Sequence, residues 1–322
     1  MRVTKVEWLS LRIPFVKQFI TANSTMNNRY AFLIFIHTDG GLSGLGEASP
    51  IGAGTLGELG QLNDIMEALS PQLMGANLED LKQLVPECTP NSELGNALGF
   101  GLETALYDLI GKRGECSVAS LIGGKVRPII VNSTITGTNS KEIVSEAKIS
   151  VSEGFRTLKI KLAGNKIEDD LATVDALRKE VGRGVKLRLD ANGKWSVEEA
   201  KEFVPRFDSF DIEFIEQPVR GAEQLAAVRH AVNTKIGVDE DLVSASDAEK
   251  LLRLKSADVF VVKTARTRGI LQSVRIINLI RKHGAEPIVT SSLESGVGVT
   301  AAIHLSLIHI SEPTRPRLIS NA

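Results

Sequence analysis

The chain has 322 residues, with 38 lysines and arginines against 39 aspartates and glutamates, for a net charge of −1. That near balance gives no electrostatic reason to expect a nucleic-acid partner or an anionic membrane, and the length is ample for more than one domain around a large core. No apolar run reaches membrane-spanning length, no signal-peptide core follows Met1-Arg2-Val3-Thr4, and Cys88 and Cys116 form no metal or redox motif, so a cytoplasmic protein with free thiols is expected.

Residues 1–125 read as an α+β unit. Residues 3–13 and 30–38 alternate as strands do, Asp39-Gly40-Gly41 is the turn after the second, and Gly44-Leu45-Gly46-Glu47-Ala48 is a short third strand. Helical patterns follow over 56–69, 78–84 and 94–112, the last with Leu98, Leu102, Ala105, Leu106 and Leu109 on one stripe. Strands followed by helices suggest an α+β domain. The polar, turn-rich stretch 15–28 reads as a loop between two strands.

From Pro128 strands and helices alternate, which supports a parallel barrel. Ile129-Ile130-Val131-Asn132 is the expected first strand. Thr157-Leu158-Lys159-Ile160-Lys161-Leu162 is the next, and its alternation puts Lys159 and Lys161 on one face. Two lysines on one face of a buried strand lower each other's pKa, desolvation lowers both, and a lysine so treated serves as a base near neutral pH. The plainer alternative is an edge strand with a solvated polar face. Later strands also end in charge: Asp190 after 185–189, Glu216 after 212–215, Asp239 after 236–238 and Lys263 after 258–262. Helical segments over 167–180, 197–204, 222–230, 245–254 and 269–282 separate the strands, and 288–290 is the seventh strand.

From Lys161 the charged ends are spaced by 29, 26, 23 and 24 residues. Each interval is one strand-plus-helix unit of a (β/α)8 barrel, which takes about 250 residues in all. Five strands therefore bring charge to one C-terminal face, where such barrels hold their active sites. Three carboxylates there repel one another without a cation, and oxygen-only donors suit Mg2+, with Mn2+ as an alternative. Lysines flanking that cation are placed to move a proton on the carbon next to a carboxylate, with the charge stabilised as it develops. The substrate is then a small-molecule carboxylate. No nucleic acid or membrane partner is expected, and homo-oligomer formation is left open.

The segments K-I-K (159–161), D-A-N (190–192), I-E-Q-P (215–218), V-D-E-D (238–241) and V-V-K (261–263) resemble the enolase superfamily, in its muconate-lactonizing subgroup. The resemblance runs to about residue 304. It implies a capping domain over 1–125, with G-L-G-E-A-S-P (44–50) and L-E-T-A-L-Y-D-L (102–109) among its segments, and a barrel over 126–304. It implies that Asp190, Glu216 and Asp239 hold the metal and that Lys161 and Lys263 are the acid/base pair. Lys159 would tune Lys161 and the substrate carboxylate. By the same analogy the 15–28 loop folds over the barrel mouth.

The run Ser291-Ser292-Leu293-Glu294-Ser295-Gly296 carries finer information. Its small residues allow an anion to approach a helix N-terminus, although serines also cap helices without any ligand. It is similar to the S-S-x-E-S-x-x-G pattern of o-succinylbenzoate synthases, lyases that dehydrate a succinylated hydroxycyclohexadiene carboxylate in menaquinone biosynthesis. That resemblance makes Ser291, Ser292 and Glu294, with Asn192, the expected substrate contacts. The usual Gly-Gly after the sixth strand reads Arg268-Gly269 here, and Arg266 and Arg268 are expected to be a solvated pair or an anion site. The alternatives are an N-acylamino-acid racemase, a dipeptide epimerase, a muconate-type cycloisomerase, or a non-catalytic binding protein on the same barrel. The Asp-x-Asp that dipeptide epimerases use for the substrate ammonium is missing from 291–296.

None of the five histidines falls on a barrel strand end, against a histidine base of the mandelate-racemase type. Beyond His304 the run Leu305-Ser306-Leu307-Ile308-His309-Ile310-Ser311-Glu312-Pro313-Thr314-Arg315 resembles a translated sequencing adapter. Residues 305–322 are accordingly expected to be a non-native tail. The expected fold class is α/β, a TIM-like (β/α)8-type barrel truncated before its eighth strand. The chain as written is expected to be unstable and inactive.

Overall fold

The computed structural model describes residues 1–20, 25–52, 54–163 and 166–308. The first unit opens with a long antiparallel hairpin, β1 (Val3–Ile20) and β2 (Thr25–Thr38), and β3 (Ser43–Ala48) pairs with β2 in the order β1-β2-β3. The expected loop over 15–28 is corrected here. Pairing resumes past an irregularity between Pro14 and Phe19, with Phe19 opposite Met26 and Ile20 opposite Thr25. Only residues 21–24 of that stretch lie outside the described residues. The polar residues that suggested a loop, and Pro14 before them, are tolerated because β1 is an edge strand.

Three helices cover this sheet: α1 (Leu56–Leu73), α2 (Leu78–Cys88) and α3 (Glu93–Arg113). Each starts at a side-chain cap, Thr55, Asn77 and Ser92, which satisfies amides the helix cannot bond itself. The helix α3 is buried nearly all round, so its apolar stripe understates its burial. On one side it presses against β3 at backbone distance. A Cβ on Gly46 would stand 1.8 Å from the Gly101 carbonyl oxygen, so only glycine fits. On the other side α3 meets the second unit.

After the short helix α4 (Val118–Leu121), the chain alternates β4 (Ser133–Ile135), α5 (Ser140–Ser152), β5 (Thr157–Lys161), α6 (Ile167–Val181) and β6 (Lys186–Asp190). It continues with α7 (Val197–Phe203), a 3-10 turn over Val204–Phe210, β7 (Ile212–Glu216), α8 (Ala222–Arg229) and β8 (Ile236–Val238). The last elements are α9 (Ala245–Leu254), β9 (Val259–Lys263), α10 (Ile270–Lys282), β10 (Glu286–Thr290) and α11 (Gly296–Ser306). The strands form one parallel sheet in the order β10-β9-β8-β7-β6-β5-β4, a curled half barrel. Among the described residues no strand joins β10 to β4. Leu158, Ile160, Leu187, Leu189 and Ile215 lie in the core between sheet and helices, while the lysine face of β5 looks inward.

Two sequence expectations change. The first barrel strand is Ser133–Ile135, not 129–132. Pairing begins with Ser133 opposite Leu158, so only Asn132 lies level with the start of β5 and residues 129–131 lie level with the coil before it. Ile130 and Val131, apolar enough to read as strand, are 85% and 56% exposed. At the other end, α11 runs past His304 to Ser306, and Leu305, Leu307 and Ile308 are buried. Ile308 bridges to Gly124, and the Lys125 amide donates to the Leu307 carbonyl at 3.0 Å. The described part of the expected tail thus packs as part of the fold, and the adapter resemblance finds no support in it; residues 309–322 lie outside the described residues. No helix among the described residues is long and apolar enough to cross a membrane.

Candidate active site

The parallel register builds the site one strand at a time. Lys161, Asp190 and Glu216 are direct neighbours across β5, β6 and β7, and Glu216 is level with Gly237, two residues before Asp239. The three carboxyls therefore share the C-terminal rim of the sheet, and each is about 2% exposed or less. Lys159 and Lys161 line one side of a cavity of about 900 Å³, with Lys263 and Arg266 also in its wall. Met26 from the hairpin, Ile51 and Gly52 from the first unit, and Leu293 from the loop after β10 complete the mouth.

The charges are tightly paired. The Lys159 ammonium donates to Glu216 at 2.7 Å and stands 3.0 Å from Asp190. Lys263 donates to one oxygen of Asp239, and Arg266 to the other and to the Asp239 carbonyl. Burial works against the charged form of Lys159, but Glu216, Asp190 and Asp239 outweigh it and hold its pKa above the ordinary lysine value. This corrects the expectation that both β5 lysines are depressed. Lys161 alone of the two behaves that way: burial lowers its pKa against the pull of Asp190, and Lys159 and Lys263 lower it further. Burial, reinforced by Asp190 and Asp239, pushes Glu216 up to about 8 despite the ammonium of Lys159. Burial also opposes ionisation of Asp239, yet Lys263 and Arg266 hold its carboxyl below the usual range.

The expected solvated pair Arg266 and Arg268 is neither solvated nor a pair. Arg266 clamps Asp239, and Arg268 reaches into the first unit, where it donates to the carbonyl of Pro86 and to the carbonyl and hydroxyl of Thr89. At 268 the backbone is left-handed, with φ +68°, which explains why glycine suits that position elsewhere.

The expected substrate contacts divide. Ser291, Ser292 and Asn192 line the cavity. Asn192, itself left-handed at φ +50°, donates to Glu240 at 3.3 Å and its amide donates to Asp190 at 3.0 Å. Glu294 turns away into the interface between the two units, where burial raises its pKa against nearby Arg29. Sequence reasoning anticipated an anion at the N-terminus of α11, and one is there, but the chain supplies it. The carboxyl of Glu47, on β3, accepts from the Ser295 amide at 2.7 Å, the Ser295 hydroxyl at 2.6 Å and the Gly298 amide at 2.9 Å. Glu103 of α3 plays the same part at α10, accepting from the Leu271 amide at 3.1 Å. Neither helix has a side-chain cap of its own. Both glutamates were overlooked in the sequence, although a lone acidic residue inside an apolar segment is the signal that marks them.

Whether a divalent cation suits this rim can be judged from the donor set. Three buried carboxyls on adjacent strand ends, without sulfur or imidazole, match the hard-ion preference of Mg2+. As placed, their oxygens turn to Lys159, Lys263 and Arg266, and among the described residues no three acidic, histidine or cysteine side chains converge as a ready metal cage. The residues fit the ion by chemistry, and binding requires the cations to let go of part of their hold.

Comparison with known proteins places this architecture. Residues 3–123 match the mandelate racemase / muconate lactonizing enzyme N-terminal domain, and residues 142–317 match the enolase C-terminal domain-like family. The chain belongs to the enolase superfamily, with the capping unit and barrel unit of its mandelate racemase and muconate lactonizing branch. It is 31% identical to a hydrophobic dipeptide epimerase of Enterococcus faecalis V583, over 95% of this chain and 87% of that protein. It is 30% identical to the L-Ala-D/L-Glu epimerase of Bacillus subtilis 168, over 95% of this chain and 85% of that one. The crystal structure of the Enterococcus faecalis dipeptide epimerase complexed with Mg and L-Leu-L-Tyr superposes with a TM-score of 0.89 at 30% identity, covering 96% of this chain and 88% of the other.

These relatives overturn the o-succinylbenzoate synthase reading, and with it the lyase chemistry and the link to menaquinone. Epimerases are isomerases, and it was the set-aside alternative that the comparisons favour. Within the serine-rich run, Ser295 and the start of α11 are taken up by Glu47. The missing Asp-x-Asp at 291–296 did not exclude likeness to dipeptide epimerases.

Proposed function

We propose that the protein is a Mg2+-dependent dipeptide epimerase, inverting the α carbon of the residue that bears the free carboxylate. The observation that carries this is the placement of Lys161 and Lys263 in the wall of one cavity, on strands separated by the three that carry Asp190, Glu216 and Asp239. In this reading those carboxylates are the ligands of the cation. When bound, Mg2+ supplies positive charge that lowers the cost of the enediolate formed at the substrate carboxylate.

The chain's own residues do the rest. Lys161, whose pKa burial lowers, takes the α proton from one face. Lys263, bonded to Asp239 across the cavity, delivers a proton to the other face. In the reverse direction the two exchange roles. Lys159, held charged between Glu216 and Asp190, keeps positive charge beside the developing anion and does not itself move a proton. Ser291, Ser292 and Asn192 are the substrate-facing side chains of the wall.

The reading is tested by proton NMR in D2O, with Mg2+ and a panel of L-Ala-L-Xaa dipeptides beside N-succinyl amino acids. The expected result is loss of the α-proton signal and appearance of the second diastereomer with dipeptides. Lys161→Ala and Lys263→Ala each abolish epimerisation, while each retains exchange from the face its remaining lysine serves. Unaltered epimerisation in either variant, or exchange confined to N-succinyl substrates, sinks the proposal.

A further inference from the structure

Gln217 is fully buried and follows Glu216 directly. Its backbone is left-handed, with φ +42°, a conformation that a β-bonded strand end does not need for pairing. The side chain it turns inward uses its whole hydrogen-bonding capacity. Its Oε1 accepts from the amides of Asp239 at 2.9 Å and Glu240 at 3.0 Å. Its Nε2 donates to the Val219 carbonyl at 2.8 Å and to Asp241 at 2.7 Å. Two N–H donors on one side and two acceptors on the other fix which way the amide points. The backbone of the same residue ties two more elements: its N–H donates to the Gly237 carbonyl at 2.8 Å, and its carbonyl accepts from Gly193 at 2.6 Å. One residue thus joins the turn after Asp190, the end of the Glu216 strand and the end of the Asp239 strand.

We propose that Gln217 is the positioning residue that sets the spacing of Asp190, Glu216 and Asp239, and so the affinity of the rim for a divalent cation. This rests on the reading of those three as cation ligands. Gln217 touches none of the reacting atoms. It acts by holding the backbone from which two of the three carboxylates hang, so a shift of the β8 end relative to β7 separates Asp239 from Glu216. Only a primary amide of this length serves. A carboxylate in its place would accept from the Asp239 and Glu240 amides but would set oxygen against oxygen at Val219 and Asp241. Asparagine is one methylene too short to span both sides.

Mg2+ titration by calorimetry tests this on wild type, Gln217→Glu and Asp190→Ala, with Mn2+ electron paramagnetic resonance as a report on ligand geometry. Melting curves establish whether each variant is folded. The expected result is that folded Gln217→Glu binds Mg2+ at least about tenfold more weakly and alters the Mn2+ spectrum, as loss of an outer-shell partner does. If Gln217→Glu does not fold, Asp241→Ala removes one acceptor of the same amide and is expected to weaken Mg2+ about threefold or more. Affinity within twofold of wild type in a folded variant, with an unchanged spectrum, overturns the role of Gln217 while Asp190→Ala still loses the ion. A wild type that binds no Mg2+, or an Asp190→Ala that binds as wild type does, overturns the ligand assignment and the inference together.

Discussion

At the scale of single residues, the molecule keeps several ionisable groups where water cannot reach them, and each has a measurable signature. Glu103 is the cleanest. Burial raises its pKa from 4.5 to about 7, opposed by amides at the start of α10. Between those two values the folded chain holds a proton that the unfolded chain has released. Folding takes up that proton, so this group's contribution to stability weakens as pH rises through the window. The contribution is roughly 3 kcal/mol, from two to three pKa units. Urea titrations at pH 5 and pH 8 are expected to show wild type losing stability that Glu103→Gln does not lose. Equal pH slopes in the two proteins would refute the assignment. Lys161 and Lys159 make the complementary point. They sit two residues apart on one face, yet one is depressed and the other elevated, because Lys159 stands between two carboxyls and Lys161 does not. Sequence spacing fixes which way a side chain points, and three-dimensional neighbours fix its charge.

At the scale of elements, the two barrel helices α10 and α11 begin without caps of their own and take carboxyls from α3 and β3. A helix N-terminus exposes amides and positive dipole, so a buried carboxyl there is well used. Glu47→Ala would leave the Ser295 and Gly298 amides and the hydroxyls of Ser49 and Ser295 without their acceptor. The expected cost is about 3–5 kcal/mol, since several buried donors lose a charged partner at once. It is checked by the urea midpoint, and a loss under about 1 kcal/mol would mean that water replaces the carboxyl without difficulty. Most elements of this fold could be read in advance. The strands ending at Asp190, Glu216 and Lys263 and the helices between them follow from apolar periodicity, which the buried sheet and its helical cover enforce. What escaped notice depends on partners distant in sequence. Strand β4 is set by its register with β5, not by the apolar run 129–132. Residues 15–20 and 25–28 read as a loop because the pairs that make them strand, Phe19 with Met26 and Ile20 with Thr25, are set by register rather than by alternation. The positions of Lys161, Asp190, Glu216, Asp239 and Lys263 follow from strand ends at barrel spacing, and that of Lys159 from its alternation with Lys161 along β5. The partners of Glu47, Glu103, Gln217 and Arg266 are not legible in the sequence, because they exist only where two elements meet.

At the scale of the whole molecule, the capping unit and the half barrel are joined by polar contacts with no water-exposed substitute: Glu47 and Glu103 at two helix starts, Arg268 on the end of α2, and Asn96 donating to the Arg266 carbonyl at 3.1 Å. Parting the units gives up all of these buried contacts at once, so the two units are expected to unfold in one step. Coincident urea transitions by tryptophan fluorescence and far-ultraviolet circular dichroism would show this, and two separated transitions in wild type would contradict it. The carboxyls that cross from one unit to the other also order events in time. Without the docked capping unit, the first turns of α10 and α11 lack these acceptors and are expected to fray. The amide hydrogens of Leu271, Ser295 and Gly298 are therefore clocks for docking. In deuterated buffer they are expected to exchange together, at the rate at which the units separate, and the interior amides of the same helices more slowly or at that same rate.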